Sequence, residues 1–274
     1  MHPLPPEPLV VAAGQAPCVS LDVAANVATA AALVRQAAGA AVLVLPELFL
    51  TGYELAALRS HAVEPDDDRL SPLAKACSET GTAVVVGAPV VAGGRAYISG
   101  LVFDRSGSVV GRYDKQRPTA TERVAGATAG AHGCTLEVDG WRLGLGICAD
   151  TGFPEHARAA ALDGCHAYLV GAMFSPGRSA HRRATQLPAR AQDNTVYTVL
   201  ANHSGRSGPL VGCGGSAIWN PDGTPLTDAG AAEPALAIGR LDPEVLALAR
   251  ADHPVLTEHG IGLPERERRT LLVS

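Results

Sequence analysis

The feature that most constrains the fold is a succession of short apolar runs that do not alternate with polar residues. Leu9 to Ala13, Ala41 to Leu45, Thr82 to Val91, Ile98 to Asp104, Ser108 to Arg112, Trp141 to Ile147, Ala167 to Gly171, Val196 to Ala201, Gly215 to Trp219 and Ala235 to Leu241 are each of strand length. Strands apolar on both faces belong in sheets covered on both sides. Helical segments lie between them. Ser20 or Asp22 can cap a helix that turns Val23, Val27 and Val34 inward, with Gly39 ending it. Glu155 to Leu162 and the Arg-rich stretch Ala180 to Asn194 also read as helices. Arg105-Ser106-Gly107 reads as a hairpin turn, and Asn220-Pro221-Asp222-Gly223 is a strong turn signal. Strands, helices and hairpins in this order predict a mixed α/β layered domain.

With 274 residues and neither a low-complexity linker nor an evident repeat, the chain fits one large domain, expected over residues 1–262. From Leu263 the sequence turns polar and reads as a tail over 263–274. Lys and Arg number 22 against 27 Asp and Glu, a net charge of −5, which disfavours a general nucleic-acid binder. Cys18, Cys77, Cys134, Cys148, Cys165 and Cys213 are dispersed, with no Cys-x-x-Cys pair. Met1 to Pro8 carries Pro and Glu where a secretory leader needs basic and then apolar residues. No charge-free stretch reaches the ~18 residues of a membrane span. A cytoplasmic protein with reduced thiols is the expectation.

Three residues stand where chemistry is commonly placed, directly after an apolar strand. Cys148 closes Gly144-Leu145-Gly146-Ile147-Cys148-Ala149-Asp150. Glu47 follows Ala41 to Leu45, a carboxylate among apolar residues whose burial would raise its pKa toward that of a general base. Lys115, in Arg112-Tyr113-Asp114-Lys115, could favour a thiolate and hold an oxyanion. Taken singly, each admits a blander role: a packed cysteine, a helix-start glutamate, a solvated lysine. Gly144-x-Gly146-x-x-Ala149 matches a loose dinucleotide fingerprint, but Pro154 interrupts the helix it needs and no acid follows at the right distance. There is no zinc-spaced Cys/His cluster, no P-loop and no Gly-x-Ser-x-Gly elbow. His156 reads as a helix-face residue, His203 as a loop residue and Asp66-Asp67-Asp68 as a solvated loop.

Taken together and in order, these segments resemble the carbon–nitrogen hydrolase (nitrilase) superfamily, from Val10 to about Leu241. Leu45-Pro46-Glu47-Leu48-Phe49-Leu50-Thr51-Gly52-Tyr53 is similar to its glutamate segment and Tyr113-Asp114-Lys115 to its lysine segment. Gly146-Ile147-Cys148-Ala149-Asp150 with Phe153-Pro154-Glu155 is similar to its nucleophile segment. Leu187 to Asn194 and Gly215 to Gly223 match further signatures. The resemblance implies a four-layer αββα sandwich that pairs into homodimers through helix faces. It implies a Glu47–Lys115–Cys148 triad working without cofactor or metal, with Glu122 as a second glutamate that positions Lys115 and substrate. Tyr53, Ala149, Met173 and Phe174 are placed by it at the substrate, with the Ala149 N–H as an oxyanion donor, and Asn202 near the site. Nitrile hydrolases of the superfamily carry Trp-Glu after the cysteine; Ala149-Asp150 points instead to a small linear amide or carbamoyl substrate. Two alternatives stay open: an acyltransferase that passes the same thioester to an amine, and a catalytically silent binding protein on this scaffold.

Overall fold

The structure is a computed structural model that describes residues 3–231 and 233–258. The expected tail over 263–274 lies outside the described residues. In chain order the elements begin with β1 (Leu9–Gln15), α1 (Val23–Gln36), β2 (Val42–Val44), α2 (Ser71–Thr80), β3 (Ala83–Ala92), β4 (Arg95–Phe103) and β5 (Val109–Asp114). They continue with α3 (Ala120–Val124), β6 (Thr135–Val138), β7 (Trp141–Ile147), α4 (Pro154–Leu162), β8 (Ala167–Ala172), α5 (Arg178–Asn194) and β9 (Tyr197–Asn202). The last are β10 (Ser204–Ser207), β11 (Leu210–Cys213), β12 (Ala217–Trp219), β13 (Pro225–Asp228), β14 (Ala235–Leu241), α6 (Pro243–Asp252) and α7 (Val255–Glu258).

Two six-stranded sheets form the centre, in the orders β14-β1-β2-β3-β4-β5 and β13-β12-β9-β8-β7-β6. In each, the middle strands run parallel and the outer pairs antiparallel. Val11, Val44, Leu143, Leu169 and Val199 fill the space between the sheets. Val27 and Val34 of α1 and Leu73 of α2 close the outer face of the first sheet against Val84 and Val86. Ala157 of α4 and Leu187 of α5 close the second against Tyr168 and Leu200. This is the expected αββα sandwich, and it explains the absence of alternation: the central strands are buried on both faces.

Local chemistry sets the element ends. Asp22, not Ser20, caps α1, its carboxylate accepting the Ala25 N–H at 3.0 Å. The helix ends at Gln36, and Gly39 (φ 95°) turns the chain beyond it. Pro72 at the start and Gly81 (φ 68°) at the end bracket α2, a helix absent from the expected element list. The β10–β11 hairpin, too, is not among the expected elements; it is Gly-rich and has no apolar run to announce it.

Candidate active site

Glu47 leaves the end of β2 on a backbone pressed between β3 of its own sheet and β8 of the facing sheet. A Cβ on Gly87 would lie 2.1 Å from the Pro46 carbonyl oxygen, and one on Gly171 2.6 Å from that of Leu45. Only glycine at those two positions lets the segment approach so closely. Leu48 follows with φ 51°, a left-handed conformation that costs a non-glycine residue about 1–3 kcal/mol and persists only where its surroundings impose it.

Lys115 follows β5. Its N–H donates to Ile98 at 2.9 Å, its carbonyl accepts from Gly130 at 2.8 Å, and its side chain is fully buried. Nζ donates to Glu47 Oε1 at 2.5 Å and to Glu122 Oε1 at 2.7 Å. Glu122 sits on α3, whose first turn is a capping box. The Thr119 hydroxyl accepts the Glu122 N–H at 3.2 Å while Glu122 Oε2 accepts the Thr119 N–H at 2.7 Å. The Tyr53 hydroxyl donates to Glu122 Oε1 at 2.5 Å. One glutamate thus starts a helix, partners a lysine and holds a tyrosine. The spacing Thr119-x-x-Glu122 is the sequence signal that could have located this helix.

Cys148 lies directly beyond β7 with φ 44°, a second strained residue, at the start of a tight helical turn through Gly152. Both Cys148 and Ala149 are partly open to solvent. The turn is held from below by Asp150, which is fully buried. Asp150 accepts the Ile147 N–H at 2.9 Å, the Tyr113 hydroxyl at 2.7 Å and the Arg117 N–H at 2.8 Å, tying the Cys148 turn to the Lys115 loop. Thr151 Oγ1 donates to the Cys148 carbonyl at 2.7 Å, and Arg190 of α5 donates to the Thr151 carbonyl at 2.9 Å. His156 is on a helix, as expected, but faces inward between the hydroxyls of Tyr113 (2.8 Å) and Tyr168 (2.9 Å). None of these supports was legible beforehand, because each bond joins segments distant in the chain.

Electrostatics follows from burial. Glu47 is pushed up to about 7, first by desolvation; Lys115 pulls it down and the Glu122 charge raises it. Desolvation would also raise Glu122, but the charge and hydrogen bond of Lys115, the Tyr53 hydroxyl and the Thr119 N–H hold it below its ordinary value. For Lys115, burial works against the ammonium, but Glu47, Cys148 and Glu122 outweigh it and keep the charge on. The Cys148 thiol is raised by burial and then by Glu47, against the smaller effects of Lys115 and the Met173 N–H. Lys115 therefore does not produce a resting thiolate, contrary to what a neighbouring ammonium alone implies. Glu47 Oε2 is buried with no hydrogen-bond partner.

Met173 and Phe174 follow β8 and are 7% and 4% exposed. The Met173 backbone N–H reaches the Cys148 sulfur. The Phe174 side chain packs into the apolar layer beneath α4 and α5, with Leu187 and Trp219. Asn202 staples this loop, accepting the Phe174 N–H at 2.7 Å and donating to the Phe174 carbonyl at 3.1 Å and the Gly214 carbonyl at 2.8 Å. His203, expected in a loop, is fully buried beneath Glu47. Among the described residues no cluster of three or more His, Cys, Asp or Glu side chains could hold a metal ion, and no helix is long and apolar enough to cross a membrane.

The family model for carbon-nitrogen hydrolase matches residues 10–251. The chain belongs to the carbon–nitrogen hydrolase family. This carbon–nitrogen hydrolase is similar to a protein from Pseudomonas protegens described as the hydrolase in the pqqF 5′ region, 34% identical and covering 90% of this chain and 88% of the relative. It is 32% identical to an (R)-stereoselective amidase of a Pseudomonas species, over 84% of this chain and 86% of that one. Among solved structures it is similar to a mutant of the amidase from Nesterenkonia sp. AN1, with a TM-score of 0.78 and 30% identity, covering 92% of this chain and 98% of that one. In that structure the acetamide moiety of fluoroacetamide has added covalently at the active-site cysteine. Family and fold make the chain an enzyme, a carbon–nitrogen hydrolase of the amidase type.

Proposed function

We propose that this enzyme hydrolyses a small linear amide or carbamoyl compound through a thioester on Cys148, with Glu47 as general base and acid. The observation that carries this is the division of labour at Glu47. Oε1 is taken by Lys115 at 2.5 Å, while the buried Oε2 is left without a partner. A carboxylate raised to about 7 with a free oxygen is suited to move a proton near neutrality.

Substrate binds with its carbonyl carbon over the Cys148 sulfur. As sulfur attacks, the thiol proton passes to Glu47, so no preformed thiolate is needed. The carbonyl oxygen becomes an oxyanion held by Lys115 Nζ and the Ala149 N–H. On collapse the C–N bond breaks, and the proton on Glu47 goes to the departing ammonia or amine. Glu47 then takes a proton from water as it attacks the thioester. The C–S bond breaks, a carboxylic acid leaves and the thiol is restored. Glu122, itself held by Tyr53 and Thr119, keeps Lys115 in place and charged. Tyr53 and Met173 border the substrate; Phe174, packed with Leu187 and Trp219, anchors the loop that carries Met173.

We also read the chain as one catalytic domain over residues 1–262, cytoplasmic and homodimeric. The free, dispersed cysteines support the compartment. Half-exposed apolar residues on the helix layer, Leu162 (45%) and Phe153 (39%), support pairing through that face. The experiment is ammonia release over a panel of linear amides and carbamoyl compounds, run beside Cys148→Ala. Product formation by the wild type and none by a folded variant supports the reading. Turnover that survives in Cys148→Ala overturns it.

A further inference from the structure

His203 is fully buried between β9 and β10, and its ring stacks on Phe49 with centroids 6.0 Å apart and planes 18° apart. Nε2 lies 2.6 Å from the backbone carbonyl oxygen of Glu47. Nδ1 lies 3.6 Å from Cys18 Sγ, and the Ser207 hydroxyl is 3.5 Å from Nε2. The Cys18 thiol, kept protonated by burial, donates to the Phe49 carbonyl at 3.2 Å. Desolvation pushes His203 down to about 4, with the Glu47 and Ala16 backbones opposing it, so the ring is neutral and carries one N–H. The short contact to a carbonyl, which can only accept, assigns that N–H to Nε2.

The carbonyl it grips belongs to the peptide plane between Glu47 and Leu48, and Leu48 is the residue with φ 51°. Gly87 of β3 confines this stretch from its own sheet and Gly171 of β8 from the facing sheet. His203, directly after β9, secures it from the same side as Gly171, across 156 residues of sequence.

We propose that His203 is a positioning residue: by fixing the peptide plane that follows Glu47, it aims the Glu47 carboxylate at Lys115 and Cys148. The inference rests on Glu47 as the general base. The charged or titratable groups that face that carboxylate are Lys115 after β5, Glu122 on α3 with Tyr53 beside it, and Cys148 after β7. Of these, Lys115 draws the Glu47 titration downward most. Loosening the plane carries the carboxylate away from that ammonium. The acid limb of the rate profile then moves to higher pH, and kcat falls more than KM changes.

The test compares His203→Leu, which keeps bulk and loses the donor, with His203→Gln, whose amide N–H reaches the place of Nε2. For His203→Leu, kcat should fall by about 100-fold, the scale of an ångström's misplacement. KM should stay within about twofold. The acid limb should rise by about half a pH unit or more. His203→Gln should recover kcat to within about threefold of wild type and restore the limb. Alkylation of Cys148 by iodoacetamide should follow the same order, with no substrate involved. Equal loss in both variants, or an unmoved acid limb in a folded His203→Leu, overturns the proposal. Should His203→Leu not fold, His203→Gln decides alone: a wild-type limb and kcat support the proposal, a displaced limb overturns it. Glu47→Gln is the control. If it keeps the acid limb, the assignment of Glu47 fails instead.

Discussion

Lys115 Nζ and Glu47 Oε1 meet at 2.5 Å, and both side chains are wholly removed from solvent although they stand 68 residues apart in sequence. Glu122 closes on the same ammonium at 2.7 Å. One buried positive charge therefore faces two carboxylates and a thiol. Such a cluster is costly to desolvate, and charged groups gathered and buried in this way mark a candidate functional site.

Removing the sulfur separates reaction from fold. Cys148→Ala should lower ammonia release by at least about 10⁴-fold, as loss of a nucleophile does elsewhere. The change removes a single sulfur atom and the φ of 44° is shared by both variants, so the melting temperature should stay close to wild type. Parallel thermal melts and ammonia assays check both halves.

The pH profile of kcat/KM should show an acid limb near pH 7, because Glu47 must be unprotonated to accept from the thiol and is pushed up to about 7 by burial. The same shift has a stability consequence. Folded Glu47 retains its proton from about 4.5 to about 7, where the unfolded chain has released it, so stability falls as pH rises through that window. Glu47→Gln should abolish turnover yet gain in melting temperature relative to wild type between pH 5 and pH 8. A constant difference across that range would contradict the assignment.

Lys115→Met should do more than stop catalysis. It strands Glu47 and Glu122 as buried carboxylates without their cation, a loss of about 3–5 kcal/mol on the scale of broken buried ion pairs. Denaturant melts at pH 8 should show the full loss. At pH 5, protonation of Glu47 should recover part of it.

Tyr53→Phe removes only the hydroxyl that Glu122 accepts at 2.5 Å. A hydrogen bond to a charged group is worth about 1.5–3 kcal/mol, so activity should fall by about 10- to 100-fold if Glu122 holds Lys115 in place. Steady-state kinetics at pH 8 is the measurement, with Tyr53→Leu as the harsher comparison.

Gly87→Ala tests the closeness of the glutamate segment. Its new Cβ would fall 2.1 Å from the Pro46 carbonyl and 2.5 Å from the Leu48 nitrogen, both backbone atoms that cannot swing aside. Displacement of Glu47 should cut kcat by about 100-fold in whatever protein folds. Gly39→Ala is the contrast, since nothing lies within 4 Å of its Cβ position. With φ 95° it carries backbone strain and should lower the melting temperature while leaving kcat alone.

Much of the sandwich could be read in advance because its signals are local. Trp141–Ile147 and Ala235–Leu241 form strands with the bounds expected from their apolar runs, and Val23, Val27 and Val34 turn inward on one helix face as their spacing requires. The α2 helix is hard to read from sequence although Pro72 and Gly81 mark its ends, because its apolar stripe is only Leu73, Ala76 and Cys77. The sequence alone also determined which residue types follow the strand ends, Glu47 after β2, Lys115 after β5 and Cys148 after β7. What only the tertiary structure decided is which distant groups hold them: Asp150 tied to Tyr113 and Arg117, Glu122 to Tyr53, and His203 to the Glu47 carbonyl. Periodicity and capping act over a few residues and leave a mark in the order of amino acids. A hydrogen bond across two packed sheets depends on strand register and layer spacing, which no single segment encodes.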